Sequence, residues 1–127
     1  MKIVIVDDSG LTRKMITKLI RSAGINNEII EADNGKSALE LIGINLKDIG
    51  IVFSDWNMPV MSGIEFIEAM AKNPQTADIP IFISSTEATE ERLKLAQNVN
   101  SSVAGCLMKP FTPEQVKEKI SPILSRL

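Results

Sequence analysis

The sequence predicts an α/β protein built on a single parallel sheet of five strands flanked by five helices, and three observations point there. Five short runs rich in Ile and Val punctuate the chain, helical periods of apolar residues lie between them, and no repeat, low-complexity stretch or linker divides the 127 residues. Apolar runs this short and continuous suit parallel strands covered on both faces. Strands that alternate with helices imply a parallel sheet with right-handed crossovers. We expect one domain over residues 1–127, a length that buries roughly two-thirds of its unfolded surface.

Taken in order, the first strand is KIVIV (2–6), and a helix follows with Leu11, Met15, Leu19 and Ala23 stepping by four. EIIEA (28–32) is the second strand, and Asn34-Gly35 opens a helix carrying Ala38, Leu39 and Ile42. IVFS (51–54) is the third, followed by a helix marked by Ile64, Ile67, Met70 and Ala71, with Gly63 serving the turn into it. IPIFIS (79–84) leads to a fourth helix marked by Leu93, Ala96 and Val99, and Glu90-Glu91 suits the dipole at its start. AGCLM (104–108) leads to the last helix, with Thr112 as N-cap, Pro113 at the first position, and Val116, Ile120, Ile123 and Leu127 on its apolar face. Pro122 predicts a kink or an early end there. The methionines at 15, 58, 61, 70 and 108 read as core and loop packing.

Composition excludes several functions. Apolar residues make up 44% of the chain, enough for a real core. The net charge is −2 with signs interspersed, so nucleic acid has no electrostatic footprint. A single cysteine, Cys106, rules out an internal disulfide and suits a reducing cytoplasm. The apolar run behind Met1-Lys2 is too short for a signal peptide or a membrane span. With no histidine in the chain, any metal is expected to be held through oxygen.

Ligands of such sheets sit beyond the carboxyl ends of the strands, where strand order reverses. The first strand ends in Asp7-Asp8, the third in Asp55, the fourth in Ser84-Ser85-Thr86 and the fifth in Lys109-Pro110. Any one of these is explained by a strand surfacing; four of five together are not. Two carboxylates about 4 Å apart repel by roughly 4 kcal/mol at an effective dielectric near 20. A hard divalent cation such as Mg²⁺ offsets that, binding through one or two carboxylates, waters and phosphate oxygens. A cation-bound carboxylate beside a lysine and a hydroxyl is equipped for phosphoryl transfer, with one aspartate as nucleophile.

The combination of IVDDS (5–9), SDWNMPVMSG (54–63), the Ser85 hydroxyl and KPFTPE (109–114) resembles the bacterial response-regulator receiver domain of the CheY type, over essentially the whole chain. The resemblance implies a doubly wound, flavodoxin-like sheet of order 2-1-3-4-5, an order for which this family is itself the standard example. It implies that Asp55 accepts the phosphoryl group and that Asp8, Asp55 and the carbonyl of Asn57 bind Mg²⁺, with Asp7 acting through water. Lys109 would pair with the phosphoryl group and Ser85 would donate its hydroxyl to it. The Lys109-Pro110 bond would be cis. Asn57 and Glu87 would flank the path of the hydrolytic water. Implied partners are a sensor histidine kinase as phosphodonor and a downstream protein such as a flagellar motor switch component, in chemotaxis signalling by a monomer.

Three positions depart from the family pattern. Thr86 stands where Ala or Gly usually follows the switch hydroxyl, and Cys106 where an aromatic usually precedes the lysine by three. AQNVNSSVAG (96–105), apart from Gly105 inside the strand, lacks the glycine usually found between the fourth helix and the fifth strand, and is about two residues longer than expected. Cys106 has no ring to swing, so the expected readout of activation is residues 85–99. Two other classes stay open on the residues alone. One is a Mg²⁺-dependent phosphatase or phosphotransferase with an aspartyl nucleophile, which in the haloacid dehalogenase type would carry an aspartate where Asn57 stands. The other is a non-phosphorylated adaptor of the same fold. Trp56 reads either as a partner contact or as packing.

Overall fold

The computed structural model describes residues 1–86 and 89–124. Strands β1 (Lys2–Val6), β2 (Ile29–Ala32), β3 (Ile49–Asp55), β4 (Ile81–Ser85) and β5 (Val103–Met108) alternate with helices α1 (Gly10–Ser22), α2 (Gly35–Ile44), α3 (Gly63–Lys72), α4 (Glu90–Val99) and α5 (Pro113–Leu124). The five strands pair in parallel in the order β2-β1-β3-β4-β5. The chain therefore leaves β1 toward one edge and returns to its other side as β3, and Val6 lies in register with Ser54. That reversal sets the ends of β1 and β3 side by side.

The side-chain period of two divides the core. Val4, Val6, Val52, Ile81 and Ile83 pack with Ile42, Phe66, Ile67, Met70 and Ala96 on the α2–α3–α4 face. Ile3, Ile5, Ile51, Phe53 and Phe82 pack with Ile16, Ile20, Val116 and Ile120 on the α1–α5 face. Both faces being covered explains why the strands read as continuous apolar runs. Capping follows the sequence: Ser9, Asn34, Ser62 and Thr89 accept from backbone amides of the first turns of α1 to α4. Thr112 does so for α5, its Oγ1 accepting from the Gln115 amide while Gln115 reaches back to the Thr112 amide.

Several expectations are corrected. The buried stripe of α1 is Ile16 and Ile20, whereas Leu11 is 72% and Met15 52% exposed. The β-branched pair lies one position round the helix and meets the sheet; Leu11 and Met15 face outward. Met108 is likewise exposed, at the end of the edge strand. β4 begins at Ile81, because Pro80 has no N–H to enter the ladder, although its carbonyl still accepts from Val52. β3 starts two residues earlier than the apolar run, at Ile49. Of the kink or early end expected at Pro122, the early end does not occur: α5 carries Pro122 inside its last turns, to Leu124; Leu127 lies outside the described residues.

Candidate functional site

The ends of β1, β3 and β5 deliver their charged groups to the same rim. Asp7 follows β1 directly and is almost wholly buried, with its Oδ1 accepting from the Ser9 amide at 2.9 Å. Lys109, one residue past β5, places Nζ 2.6 Å from Asp7 Oδ2 and 3.5 Å from Asp55 Oδ1. Asp55 closes β3, and its Oδ1 also accepts from the Trp56 amide at 2.8 Å. Asp8 is exposed, and carboxylate oxygens of Asp7, Asp8 and Asp55 all lie within 4.8 Å of one another. The lysine thus bridges two of three clustered acids.

Electrostatics follow from that crowding. Burial is the largest influence on Asp55 and pushes its carboxyl above the usual value of 3.8; Asp7 and, more weakly, Asp8 push the same way. Lys109 and the Trp56 amide pull it back without cancelling the rise. A carboxyl cluster held this close, through oxygen alone, is suited to a hard cation. Both oxygens of Asp7 are already engaged by protein groups, which leaves the exposed Asp8 and the rim-lying Asp55 as the carboxylates open to direct coordination. The donor set fits Mg²⁺.

Of the remaining predicted residues, Ser85 is buried at the end of β4, and its carbonyl accepts from the Lys109 amide at 2.8 Å, tying the two strand ends together. The Lys109-Pro110 bond is cis. Asn57 and Thr86 are exposed on the loops after β3 and β4; Glu87 lies outside the described residues. Cys106 lies away from the rim, half-buried on the edge strand, with burial pushing its thiol pKa up. It lines an open cleft of about 770 Å³ between α4 and α5, with Phe82, Leu93, Gly105, Glu118 and Ile123.

Three supports hold the site; sequence reasoning placed Gly63 at the turn into α3 without its steric reason, and missed the other two, Arg13 and Arg92. A Cβ on Gly63 would collide with the Asp55 carbonyl and the Trp56 backbone, so only glycine lets α3 start directly against the strand end. The Gly63 amide then donates to the Trp56 carbonyl at 2.9 Å. Arg13 on α1 donates to the Asp7 carbonyl at 2.6 Å and to Glu31 at 2.9 Å, pinning the ends of β1 and β2. Arg92 on α4 stacks its guanidinium on the Trp56 ring, 5.3 Å from the centroid. The glycine alone left a signal, its place at the helix start in SDWNMPVMSG. A second groove, of about 570 Å³, adjoins the rim and is lined by Met15, Leu19, Thr86, Lys109, Pro110 and Phe111. Of the two outward-facing residues of α1, Met15 lines it and Leu11 does not.

Comparison with known proteins agrees with this fold. A family model described as the response regulator receiver domain matches residues 3–121. The chain is 35% identical over 127 residues to chemotaxis protein CheY-3 of Vibrio cholerae, covering all of this chain and 94% of that one. It is 35% identical to chemotaxis protein CheY of Pseudomonas aeruginosa, covering all of this chain and 98% of that one. Among solved structures, chemotaxis protein CheY4 of Vibrio cholerae matches with a TM-score of 0.83 and 32% identity over 97% of this chain and 98% of that one.

Proposed function

This chain belongs to the response regulator receiver domain family, the phosphoaspartate receivers of two-component signalling, and on that premise we propose that Asp55 is its phosphoacceptor and Mg²⁺ its cofactor. Proteins of this type are signalling proteins rather than turnover enzymes. The observation that carries the assignment is Lys109 Nζ lying between Asp7 and Asp55, at 2.6 and 3.5 Å, beside three clustered carboxylates.

In the proposed reaction an Asp55 carboxylate oxygen attacks the phosphorus of a phosphohistidine on a sensor kinase. A P–O bond forms, the P–N bond breaks, and the imidazole leaves with a proton. Asp8, Asp55 and the Asn57 carbonyl would hold Mg²⁺, which when bound supplies positive charge to the phosphoryl oxygens. Lys109 supplies a second positive charge and Asp7 keeps it in place. Ser85 donates its hydroxyl to a phosphoryl oxygen, Thr86 limits access, and Asn57 flanks the path of the water that removes the group. Catalysis is confined to this self-directed transfer. The groove beside α1, which ends at Lys109, is where the donor would approach.

Residues 1–127 act as one receiver domain, monomeric and cytoplasmic, whose output is protein contact in chemotaxis, as the names of its relatives suggest. No helix among the described residues is long and apolar enough to cross a membrane. The test is intact-mass measurement after incubation with Mg²⁺ and acetyl phosphate. Wild type should gain one phosphoryl group and Asp55→Asn none; equal labelling of the variant would refute the assignment.

A further inference from the structure

We infer that Arg92 is a positioning residue for the Asp55 site, acting through Trp56, and that the Arg92–Trp56 contact carries the state of Asp55 to α4. The inference rests on Asp55 being the phosphoacceptor and goes beyond it by naming the route out. Trp56 is held at both ends of its backbone. Its amide donates to Asp55 Oδ1 at 2.8 Å, and its carbonyl accepts from Gly63 at 2.9 Å, where the absence of a Cβ lets α3 press against it. Its ring packs at the margin of the core and meets the Arg92 guanidinium at 5.3 Å, well inside the range of a cation–π contact. One residue therefore touches both the reacting carboxylate and α4.

The chemistry of Asp55 must disturb this link. As a carboxylate, its Oδ1 is a charged acceptor for the Trp56 amide. Once either oxygen is esterified by a phosphoryl group, the charge leaves the carboxyl and gathers on the phosphoryl oxygens, so the best acceptor for that amide lies elsewhere. The 56 peptide then turns, and the indole shifts under Arg92. α4 is the element most open to such a bias. Ala96 is its one buried residue, and Leu95 is 52% exposed; an element with so little buried apolar contact is moved at small cost. Cys106 offers no ring for a competing route through β5. Coupling of this kind is reciprocal, so a partner that favours the shifted α4 should also favour the loaded Asp55.

Beryllofluoride with Mg²⁺, titrated into wild type, Arg92→Gln and Arg92→Lys, tests this with two readouts. Trp56 is the sole tryptophan, so emission follows the contact, and amide exchange over residues 90–99 follows α4. Wild type should change in both. Arg92→Gln should still take a phosphoryl group from acetyl phosphate, bind beryllofluoride about two- to fivefold more weakly, as expected for losing a half-exposed cation–π contact, and lose most of the exchange response. Arg92→Lys, which keeps the cation, should restore it. An Arg92→Gln protein with wild-type affinity and exchange response, in a wild type that loads normally, overturns this inference alone. A wild type that neither loads nor binds beryllofluoride overturns the phosphoacceptor reading and this inference with it.

Discussion

The rim formed by β1, β3 and the start of the β5–α5 loop contrasts with the face formed by α4, β5 and α5. At the rim two of the three acids are held by neighbours: Asp7 by the Ser9 amide and Lys109, with its carbonyl on Arg13, and Asp55 by the Trp56 amide and Lys109. The other face holds an open cleft, an edge strand and a helix with one buried side chain. Phosphoryl chemistry needs charges fixed in place before the reaction, because stabilisation by fixed dipoles and charges requires no reorganisation. Signalling needs an element cheap to move. The molecule separates the two, and Trp56 lies between them.

That contrast is broken most easily at Lys109. Lys109→Gln removes the cation from a buried aspartate, a loss of about 3 kcal/mol on the scale for breaking a buried pair. Urea melts in EDTA would show it, and Mg²⁺ should recover part of the loss. A cost below about 0.5 kcal/mol would mean the rim is not the rigid side of the molecule.

Metal is the next lever. Mg²⁺ at about a hundred times its dissociation constant should stabilise wild type by roughly 2.7 kcal/mol. Asp8→Asn should gain much less, and in EDTA it should be more stable than wild type by about 1 kcal/mol, a figure discounted for the exposure of Asp8. A destabilised metal-free variant would show that Asp8 serves the fold instead.

The pH dependence sharpens the same point. Burial raises the Asp55 carboxyl above 3.8, so the folded state holds that proton more tightly than the unfolded chain does. Metal-free stability from this group must therefore fall as pH rises from about that unfolded value through the higher folded one, and stay level above it. Asp55→Asn should remove that decline, and the gap between the two proteins should open across that window. Parallel curves would place Asp55 in a better-solvated setting.

On the opposite face, Cys106→Phe is expected to change stability by no more than about 0.5 kcal/mol, because the ring enters an open cleft rather than a packed core. A large destabilisation would show that the cleft is not available space.

How far the molecule was legible in its sequence follows the same division. The strands were legible because a sheet covered on both faces needs continuous apolar runs. The rim was legible because strand ends place their next residue by connectivity alone; Asp7, Asp8, Asp55 and Lys109 need no knowledge of packing. The buried face of α1 was misread because Leu11, Met15 and Leu19 keep the same four-residue step as Ile16 and Ile20, and periodicity does not say which stripe meets the sheet. Arg92 and Trp56 are 36 positions apart and approach only because α4 packs beside α3 and β5, a relation no local pattern records. Pro122 inside α5 shows the limit of a propensity rule where tertiary packing, here of the buried Val116 and Ile120, holds the helix in place.

The central claim is that one of three neighbouring acids, Asp55, is the one that reacts. The direct measurement is borohydride reduction of protein treated with Mg²⁺ and acetyl phosphate, followed by peptide mapping. Reduction of an aspartyl phosphate leaves homoserine at the position that carried it. The account predicts homoserine at position 55 alone, and only when Mg²⁺ was present. Homoserine at position 7 or 8, or labelling that survives EDTA undiminished, would contradict it.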